Sequence, residues 1–264
     1  MTPSSTAAAA FATQLSERTA HPCRTILAID IGGTKVKLLA TGQTEPRKIA
    51  SGKSLRPSQL VKSVQELVSD WEYEAVSIGY PGIVGDHGPR AEPGNLGSGW
   101  VGYNFAAAFG RPVRILNDAA MQALGSYEGG RMLFLGLGTG FGSALIAEHV
   151  IVPLELGQLM YRDGSSLGEV AGRQGLERLG KKSWCNALHE IVAFLLHAFT
   201  ADYLVLGGGN AKLLKELPAG CRRGHNLTAF RGGFRLWSVD DVRTLVPDGK
   251  QFYTAPVLGP WRLI

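Results

Sequence analysis

The sequence predicts an α/β protein made of two similar halves. Each half opens with a strand, a glycine-rich turn and a second strand, over Thr25–Ala40 and again over Met132–Ala147. Helical and strand patterns then follow one another, as in folds where helices cover a sheet. Glycine supplies 35 of the 264 residues, well above the usual share of about 7%. We therefore expect two α/β domains beside a cleft, where glycine turns from both sides could hold a polyanion.

The elements of the first half are predicted from runs of apolar residues and their spacing. A long loop rich in glycine and proline, residues 80–100, follows the third strand and is expected to bind a ligand. The fourth strand ends at Asn117 and Asp118. The predicted strands are Thr25–Ile31, Lys35–Ala40, Ala75–Gly79 and Val113–Leu116, and the predicted helices begin at Pro57 and at Ala119.

The second half repeats the pattern, with strands Met132–Leu137, Ser143–Ala147 and Tyr203–Leu206 and helices Ser183–Thr200 and Ala211–Leu217. Its end, NLTAFRGGFRLW, suggests a last strand and turn, and the tail after about residue 235 has no clear period. We expect a loose leader over residues 1–24, an N-terminal α/β domain over 25–118 and a C-terminal α/β domain over 119–264.

Composition excludes several classes of protein. Hydrophobic residues make up 45% and charged residues 19%, which rules out a wholly disordered chain, and the formal net charge is +5. The three cysteines form no CxxC pair, so a disulfide framework and a cysteine-rich zinc site are both disfavoured, and a reducing cytoplasm is expected. No apolar run approaches the roughly 18–20 residues that span a membrane.

The first glycine turn has the residue types that bind phosphate. Gly32 and Gly33 let backbone N–H groups come close to phosphate oxygens, and Thr34 and Lys35 add a hydroxyl and a positive charge. Asp30, at the strand end, could hold Mg²⁺ through water. The alternative is an ordinary hairpin turn.

The second glycine turn is denser and contains Gly138, Thr139, Gly140 and Gly142. Its spacing is not the GxGxxG of dinucleotide-binding folds, and a hairpin follows it instead of a helix. Such a turn can be merely flexible, but its place matches that of the first turn in the other half. We therefore expect it to bind phosphate as well.

Asp118 follows a strand and precedes a helix, where open α/β sheets expose their ligands. A carboxylate there could take a proton from a sugar hydroxyl that attacks phosphorus. The alternative is that this aspartate only caps the N-terminus of the helix. Glu155, an acid between apolar residues, could bind a hydroxyl or simply lie at the surface.

Basic residues cluster in the second half, at Arg173, Arg178, Lys181 and Lys182. Such a cluster is usually a solvated face, but beside a phosphate-binding turn it would also suit an extended polyanion. No nucleic-acid-binding motif accompanies it.

Six motifs occur in an order typical of ROK-type sugar kinases, and the chain most resembles their polyphosphate glucokinase branch over roughly Thr25 to Phe234. The motifs are DIGGTK (30–35), GYPGIV (79–84), ILNDAAMQALG (115–125), GLGTGFGSALI (136–146), PLELGQL (153–159) and LVLGGG (204–209).

The resemblance implies an actin/hexokinase-like (ribonuclease H-like) fold with two domains flanking a cleft, a homodimer, and no nucleic-acid or membrane partner. It implies transfer of a phosphoryl group from polyphosphate, ATP or both to the 6-hydroxyl of glucose or a related hexose, with Mg²⁺ and without zinc. A catalytically weak or inactive sugar-binding regulator is the alternative. An unrelated actin-like ATPase would leave Asn104 and Glu155 without a purpose.

The resemblance also implies roles for single residues. Asp118 would be the general base, and the two glycine turns would hold the donor with Mg²⁺ near Asp30. The other sugar hydroxyls would be bound by Asn104, Asn117, Glu155 and, more loosely aligned, Glu169, and the distal part of the donor would lie over Gly207, Gly208 and Gly209.

One departure from the family pattern concerns the sugar. Family members usually read E-x-G-H where this chain reads Glu155-Leu156-Gly157-Gln158. Gln158 can hydrogen-bond a hydroxyl through its amide, but it cannot ligate zinc comparably or carry a charge. The identity of the hexose therefore stays open.

Overall fold

The computed structural model describes residues 25–225 and 227–237 and the backbone of residues 262 and 263. The predicted leader, residues 1–24, and most of the tail after residue 235 lie outside the described residues. Two large sheets form the framework, in agreement with the predicted α/β class.

The first sheet has five strands in the order β3-β2-β1-β4-β7. β1 pairs antiparallel with β2, so the predicted hairpin is present, and it pairs parallel with β4 on its other side. Asp30 on β1 lies directly opposite Lys37 on β2. The strands are β1 (Ile26–Ile31), β2 (Lys35–Ala40), β3 (Arg47–Ala50), β4 (Ala75–Tyr80) and β7 (Val113–Asn117), and a small separate ribbon contains β5 (Val84–Gly85) and β6 (Gly88–Pro89).

The second sheet has six strands in the order β12-β11-β8-β9-β10-β13. Here β8 pairs antiparallel with β9 and parallel with β11, which repeats the arrangement around β1 in the first sheet. The similarity of the two halves therefore extends from sequence to topology. The strands are β8 (Met132–Leu137), β9 (Phe141–Ala147), β10 (Val150–Leu154), β11 (Tyr203–Gly207), β12 (Cys221–Arg223) and β13 (Arg262–Leu263).

Six α-helices lie in the described part of the chain. They are α1 (Pro57–Leu67), α2 (Phe105–Phe109), α3 (Asp118–Ser126), α4 (Leu167–Ala171), α5 (Arg173–Ala198) and α6 (Thr228–Arg235). The predicted helix Ser183–Thr200 is the second part of α5, which is kinked at Gly180, where φ is 72°. None of the described helices is long and apolar enough to cross a membrane.

Helices α3 and α6 connect the two sheets. They pack so closely that a Cβ on Gly125 would overlap the carbonyl oxygen of Thr228. α6 also reaches the first sheet, where Ser77 Oγ donates to the carbonyl of Gly233 (2.6 Å) and accepts from Trp237 Nε1 (2.8 Å). Because α3 contacts strands of both sheets, and α6 packs on α3 and on the first sheet, the domain boundary after residue 118 stays a prediction.

Two predicted elements were wrong. The segment suggested as a last strand, NLTAFRGGFRLW, contains helix α6. Its Gly232 permits a close contact with α3 that a larger residue would prevent. The predicted helix Ala211–Leu217 is a short 3-10 helix, Gly209–Leu213, instead. Glycine lowers helix propensity, but tertiary packing overrides that preference in α6.

Candidate functional site

Asp118 is the first residue of α3, immediately after β7. The cap of this helix is Asn117 and not Asp118: Asn117 Oδ1 accepts from Ala120 N (3.1 Å), and its Nδ2 donates to the carbonyl of Gly82 (3.1 Å). Asp118 Oδ1 accepts from Ala119 N (2.8 Å). Among the described residues no protein group hydrogen-bonds Oδ2 of Asp118. That oxygen is available to a ligand.

The first turn of α3 lies where the two sheets meet. A Cβ on Gly79, in β4, would be 3.5 Å from the Cα of Asp118, and a Cβ on Gly142, in β9, would be 2.9 Å from the Cβ of Ala119. Strands from both sheets therefore touch the same helical turn. Small residues at these two positions allow the turn to sit between the sheets.

Burial raises the pKa of Asp118 to about 7. The negative charges of Asp30 and Glu155 raise it further, whereas the hydrogen bond from the amide of Ala119 opposes the shift. Three carboxylates from three separate motifs thus face the same region. An acid with a pKa near neutral is well suited to accept a proton at neutral pH.

Asp30 is buried and forms an ion pair with Lys37, whose Nζ lies 3.0 Å from Oδ2 of Asp30. Lys37 is partly exposed, so its ammonium group is also accessible from solvent. We did not predict Lys37 as a site residue. Alternation along β2 puts the side chains of Lys35 and Lys37 on the same side of the sheet. Only the register of β2 against β1 shows that Lys37 lies opposite Asp30.

The first glycine turn leaves Thr34 and Lys35 exposed. Gly32 N donates to the carbonyl of Lys35 (3.1 Å), which closes the turn. A Cβ on Gly33 would be 2.6 Å from Asn95 Nδ2, so the long loop of residues 80–100 packs against this turn. No pattern in the sequence indicated that Asn95 would lie there.

The second glycine turn lies against the glycines that follow β11. Gly138 N donates to the carbonyls of Gly136 and Gly140 (3.2 Å each), and Asn210 Nδ2 donates to the carbonyl of Gly138 (3.4 Å). Gly208 has a φ of 81°, and a Cβ there would be 2.5 Å from the carbonyl oxygen of Leu137. The structure therefore brings two predicted donor segments together: Gly138, Thr139, Gly140 and Gly142 in one, Gly207, Gly208 and Gly209 in the other.

Glu155 and Gln158 lie on one short turn after β10. The main chain of Gln158 donates to the carbonyl of Glu155 (2.9 Å), and both side chains are exposed. Enough protein nevertheless surrounds the Glu155 carboxyl to raise its pKa. Buried Ser143 fixes the turn, since its Oγ accepts from Leu156 N (3.0 Å) and donates to the carbonyl of Leu154 (2.8 Å). Ser143 was missed by the sequence analysis.

The last two predicted sugar-binding residues also cap helices. Asn104 Oδ1 accepts from Ala107 N (3.0 Å) at the start of α2. The side-chain Nδ2 of Asn104 remains to donate to a ligand. Glu169 Oε2 accepts from Ser166 N (2.8 Å) at the start of α4, and this hydrogen bond lowers the pKa of Glu169. Gly168 contacts Gly157, so α4 lies beside the Glu155–Gln158 turn. The carboxylate of Glu169 is nevertheless held by its own helix.

A divalent cation would find one suitable ligand beside the first glycine turn. Among the described residues no group of three or more histidine, cysteine, aspartate or glutamate side chains has a metal-binding arrangement. Mg²⁺ keeps several waters and often takes only one or two carboxylates in addition to phosphate oxygens. Asp30 fits that requirement, with Lys37 as its present partner.

The fold and the site together define an actin/hexokinase-like α/β protein, as predicted, and the match to a ROK hexokinase structure from Thermus thermophilus (TM-score 0.60) agrees with this class. Residues 26–152 match the ROK family model, so the chain carries a ROK family domain and the predicted resemblance is confirmed.

Particular relatives agree with this assignment. The chain is 28% identical over 211 residues to a polyphosphate glucokinase of Mycobacterium tuberculosis, and the aligned region covers 69% of this chain and 76% of that protein. The structure of an inorganic polyphosphate/ATP-glucomannokinase from Arthrobacter sp. strain KM matches with a TM-score of 0.68 at 24% identity, over 80% of this chain and 97% of that one. A ROK family transcriptional regulator, homologous to the E. coli MLC protein, matches with a TM-score of 0.58 at 14% identity, over 81% and 77%. Structural likeness at these identities shows the fold alone.

Proposed function

We propose that this protein is a sugar kinase that transfers a phosphoryl group from polyphosphate, ATP or both to the 6-hydroxyl of glucose or a related hexose. The observation that carries the proposal is the placement of Asp118. Its carboxyl lies where the two sheets meet, with one oxygen available and a pKa of about 7. The similarity to named polyphosphate glucokinases supports the same conclusion.

In this proposal Asp118 is the general base. Its carboxylate takes the proton of the 6-hydroxyl while the hydroxyl oxygen bonds to phosphorus and the bond from phosphorus to the leaving phosphate oxygen breaks. Deprotonation near pH 7 leaves a large fraction of the enzyme ready to accept that proton at neutral pH. The residues that bind the other hydroxyls are Asn104, Asn117, Glu155, Gln158 and Glu169.

The donor is proposed to lie over the two glycine turns. Backbone N–H groups near half-buried Gly33 and exposed Gly140 would bind phosphate oxygens, and exposed Lys35 would add a positive charge. Asp30 would hold Mg²⁺ through water, and that ion would neutralise phosphate charge. Positioning and charge neutralisation supply most of the acceleration in phosphoryl transfer, so these residues need no covalent chemistry.

Several finer properties remain part of the proposal. We infer a cytoplasmic homodimer that needs no zinc and whose partners are its sugar and its phosphoryl donor. The magnesium-dependent donor site is supported by the buried carboxylate of Asp30 beside the first glycine turn.

The experiment that tests the proposal is a panel of hexoses against two donors, polyphosphate and ATP, with the sugar phosphate as the measured product. We expect a 6-phosphate from glucose or a close relative with at least one donor. No product from any combination, in a folded protein with Mg²⁺ present, would refute kinase activity.

A second candidate is a sugar-binding regulator with little or no turnover. Gln158 motivates it, because this residue stands where family members usually have histidine, and the fold is shared with a transcriptional regulator. Calorimetry separates the two candidates. Tight hexose binding without phosphate transfer from any donor would favour the regulator.

A further inference from the structure

A basic groove of about 780 Å³ lies between α5 and the segment that follows the 3-10 helix Gly209–Leu213. One wall carries Lys181, Lys182 and His189 of α5, and the other carries Leu213, Lys215 and Glu216. The sequence analysis grouped Lys181 and Lys182 with Arg173 and Arg178. The lining described here instead joins them to Lys215, which is more than thirty residues away in sequence.

The buried face of α5 determines which residues line the groove. Trp184, Leu188 and Ile191 point into the core and are fully buried. Lys181, Lys182 and His189 therefore share the opposite, exposed face. The kink at Gly180 comes immediately before Lys181, so the lysines begin the straight second part of the helix.

The charge of the groove is unbalanced. Three ammonium groups face one carboxylate, that of Glu216. None of the ion pairs found within residues 25–225 and 227–237 includes Lys181, Lys182 or Lys215. Like charges held close together repel each other, and an anion between them relieves that repulsion.

One short helix separates the groove from the proposed donor site. Leu213, in the wall of the groove, is the last residue of the 3-10 helix that begins at Gly209. The rise along this helix from Gly209 to Leu213 is about 8 Å. Asn210, in the same helix, hydrogen-bonds the carbonyl of Gly138 in the second glycine turn. One short, rigid element thus connects the glycine turns to the lysines.

We propose that this groove is a subsite for the distal phosphates of a linear inorganic polyphosphate. The inference rests on the proposed function and deepens it by naming the donor class. A chain held at the glycine turns would extend past the 3-10 helix, and its repeated negative charges would meet Lys215 and then Lys181 and Lys182. A nucleoside triphosphate ends in a neutral base and has no charges to place there.

The test removes one lysine from each wall, in the variant Lys181→Gln/Lys215→Gln. Each lysine contributes one exposed charge contact, so KM for long-chain polyphosphate should rise by up to about thirtyfold at low ionic strength. The kcat, and KM for ATP and for tripolyphosphate, should stay unchanged. The control Lys53→Gln/Lys62→Gln removes the same charge from exposed positions outside the groove and should change none of these values.

A variant of opposite sign makes the test sharper. Glu216→Gln removes the only carboxylate of the described lining and should lower KM for long-chain polyphosphate. Added salt should weaken the preference of the unmodified protein for long chains, and it should have much less effect on Lys181→Gln/Lys215→Gln.

Two results would overturn the inference. An equal rise in KM for ATP and polyphosphate in the lysine variant would make the groove a nucleotide subsite, and no change for either donor would make it a solvated face. Direct binding of polyphosphate, measured by calorimetry on unmodified protein and variant, separates this inference from the proposed function. A protein that transfers no phosphate but loses polyphosphate affinity in the variant would refute only the kinase proposal.

Discussion

Replacing Asp118 with asparagine should stabilise the folded protein above neutral pH. In the native structure burial and the charges of Asp30 and Glu155 raise the pKa of Asp118 from 3.8 to about 7. The native state therefore keeps a proton that the unfolded state has already released between about pH 4 and pH 7. Stability falls as pH rises through that range, and the loss is complete above the folded pKa.

The size of the effect follows from these two values. Each pH unit between them is worth about 1.4 kcal/mol, so ionising Asp118 lowers the free energy of unfolding by about 4 kcal/mol. Asparagine has nearly the shape of the protonated acid, and its oxygen can still accept from Ala119 N. Asp118→Asn should therefore be more stable than the unmodified protein by about 4 kcal/mol at about pH 8.5, and the difference should vanish near pH 4.

Urea unfolding at several pH values measures this difference, provided that the m-value is unchanged. Asp70→Asn is a control of opposite sign, because its hydrogen bond to Arg47 lowers the pKa of Asp70 to about 2. That variant should lose stability at neutral pH, and the loss should disappear as pH falls through about 4 toward 2. Equal stability of Asp118→Asn and unmodified protein at about pH 8.5 would refute the reasoning about Asp118.

Three further predictions concern packing, a buried hydrogen bond and the sugar site. Gly125→Ala should destabilise the protein by at least about 1–3 kcal/mol in urea unfolding, because the new Cβ overlaps the backbone of α6, whereas Gly94→Ala, with open space around it, should be nearly neutral. Ser77→Ala should lower the free energy of unfolding by about 1–3 kcal/mol, since it removes a buried hydroxyl that hydrogen-bonds the Gly233 carbonyl and Trp237 Nε1. The control Ser69→Ala changes an exposed serine, and an equally small effect of both substitutions would contradict this prediction. Gln158→Ala should raise KM for the hexose about fivefold, because one hydrogen bond of roughly 1 kcal/mol is lost, and should leave KM for the donor unchanged. An unchanged KM for the hexose would exclude Gln158 from the sugar site.

Local patterns predicted much of the framework. The two hairpins and the end of β7 at Asn117 follow from short apolar runs beside glycines, and such signals depend on neighbours in sequence. Helix α6 was not predicted, because its two glycines disfavour a helix in isolation but permit close packing in the fold, Gly232 against α3 and Gly233 against the first sheet. Its stability depends on tertiary packing that no local pattern contains.

The candidate site divides in the same way. Asp30 and Asp118 could be named from their positions at strand ends, and Glu155 as an acid between apolar residues whose role the family resemblance implied. Their mutual influence on the pKa of Asp118 depends on two sheets coming together, which the sequence does not reveal. Lys37 was missed because it reaches Asp30 across a hairpin register, and Lys215 because the groove joins distant segments.

The most direct test of the account measures hexose 6-phosphate formation by unmodified protein and by Asp118→Asn, with hexose binding followed by calorimetry in parallel. Turnover of the unmodified protein should rise with pH through about 7, as Asp118 loses its proton. Asp118→Asn should bind the hexose but form product at least about a hundredfold more slowly at every pH. Equal turnover in the two proteins, or a rate that does not depend on pH between about 6 and 8, would contradict the assignment of Asp118 as the base.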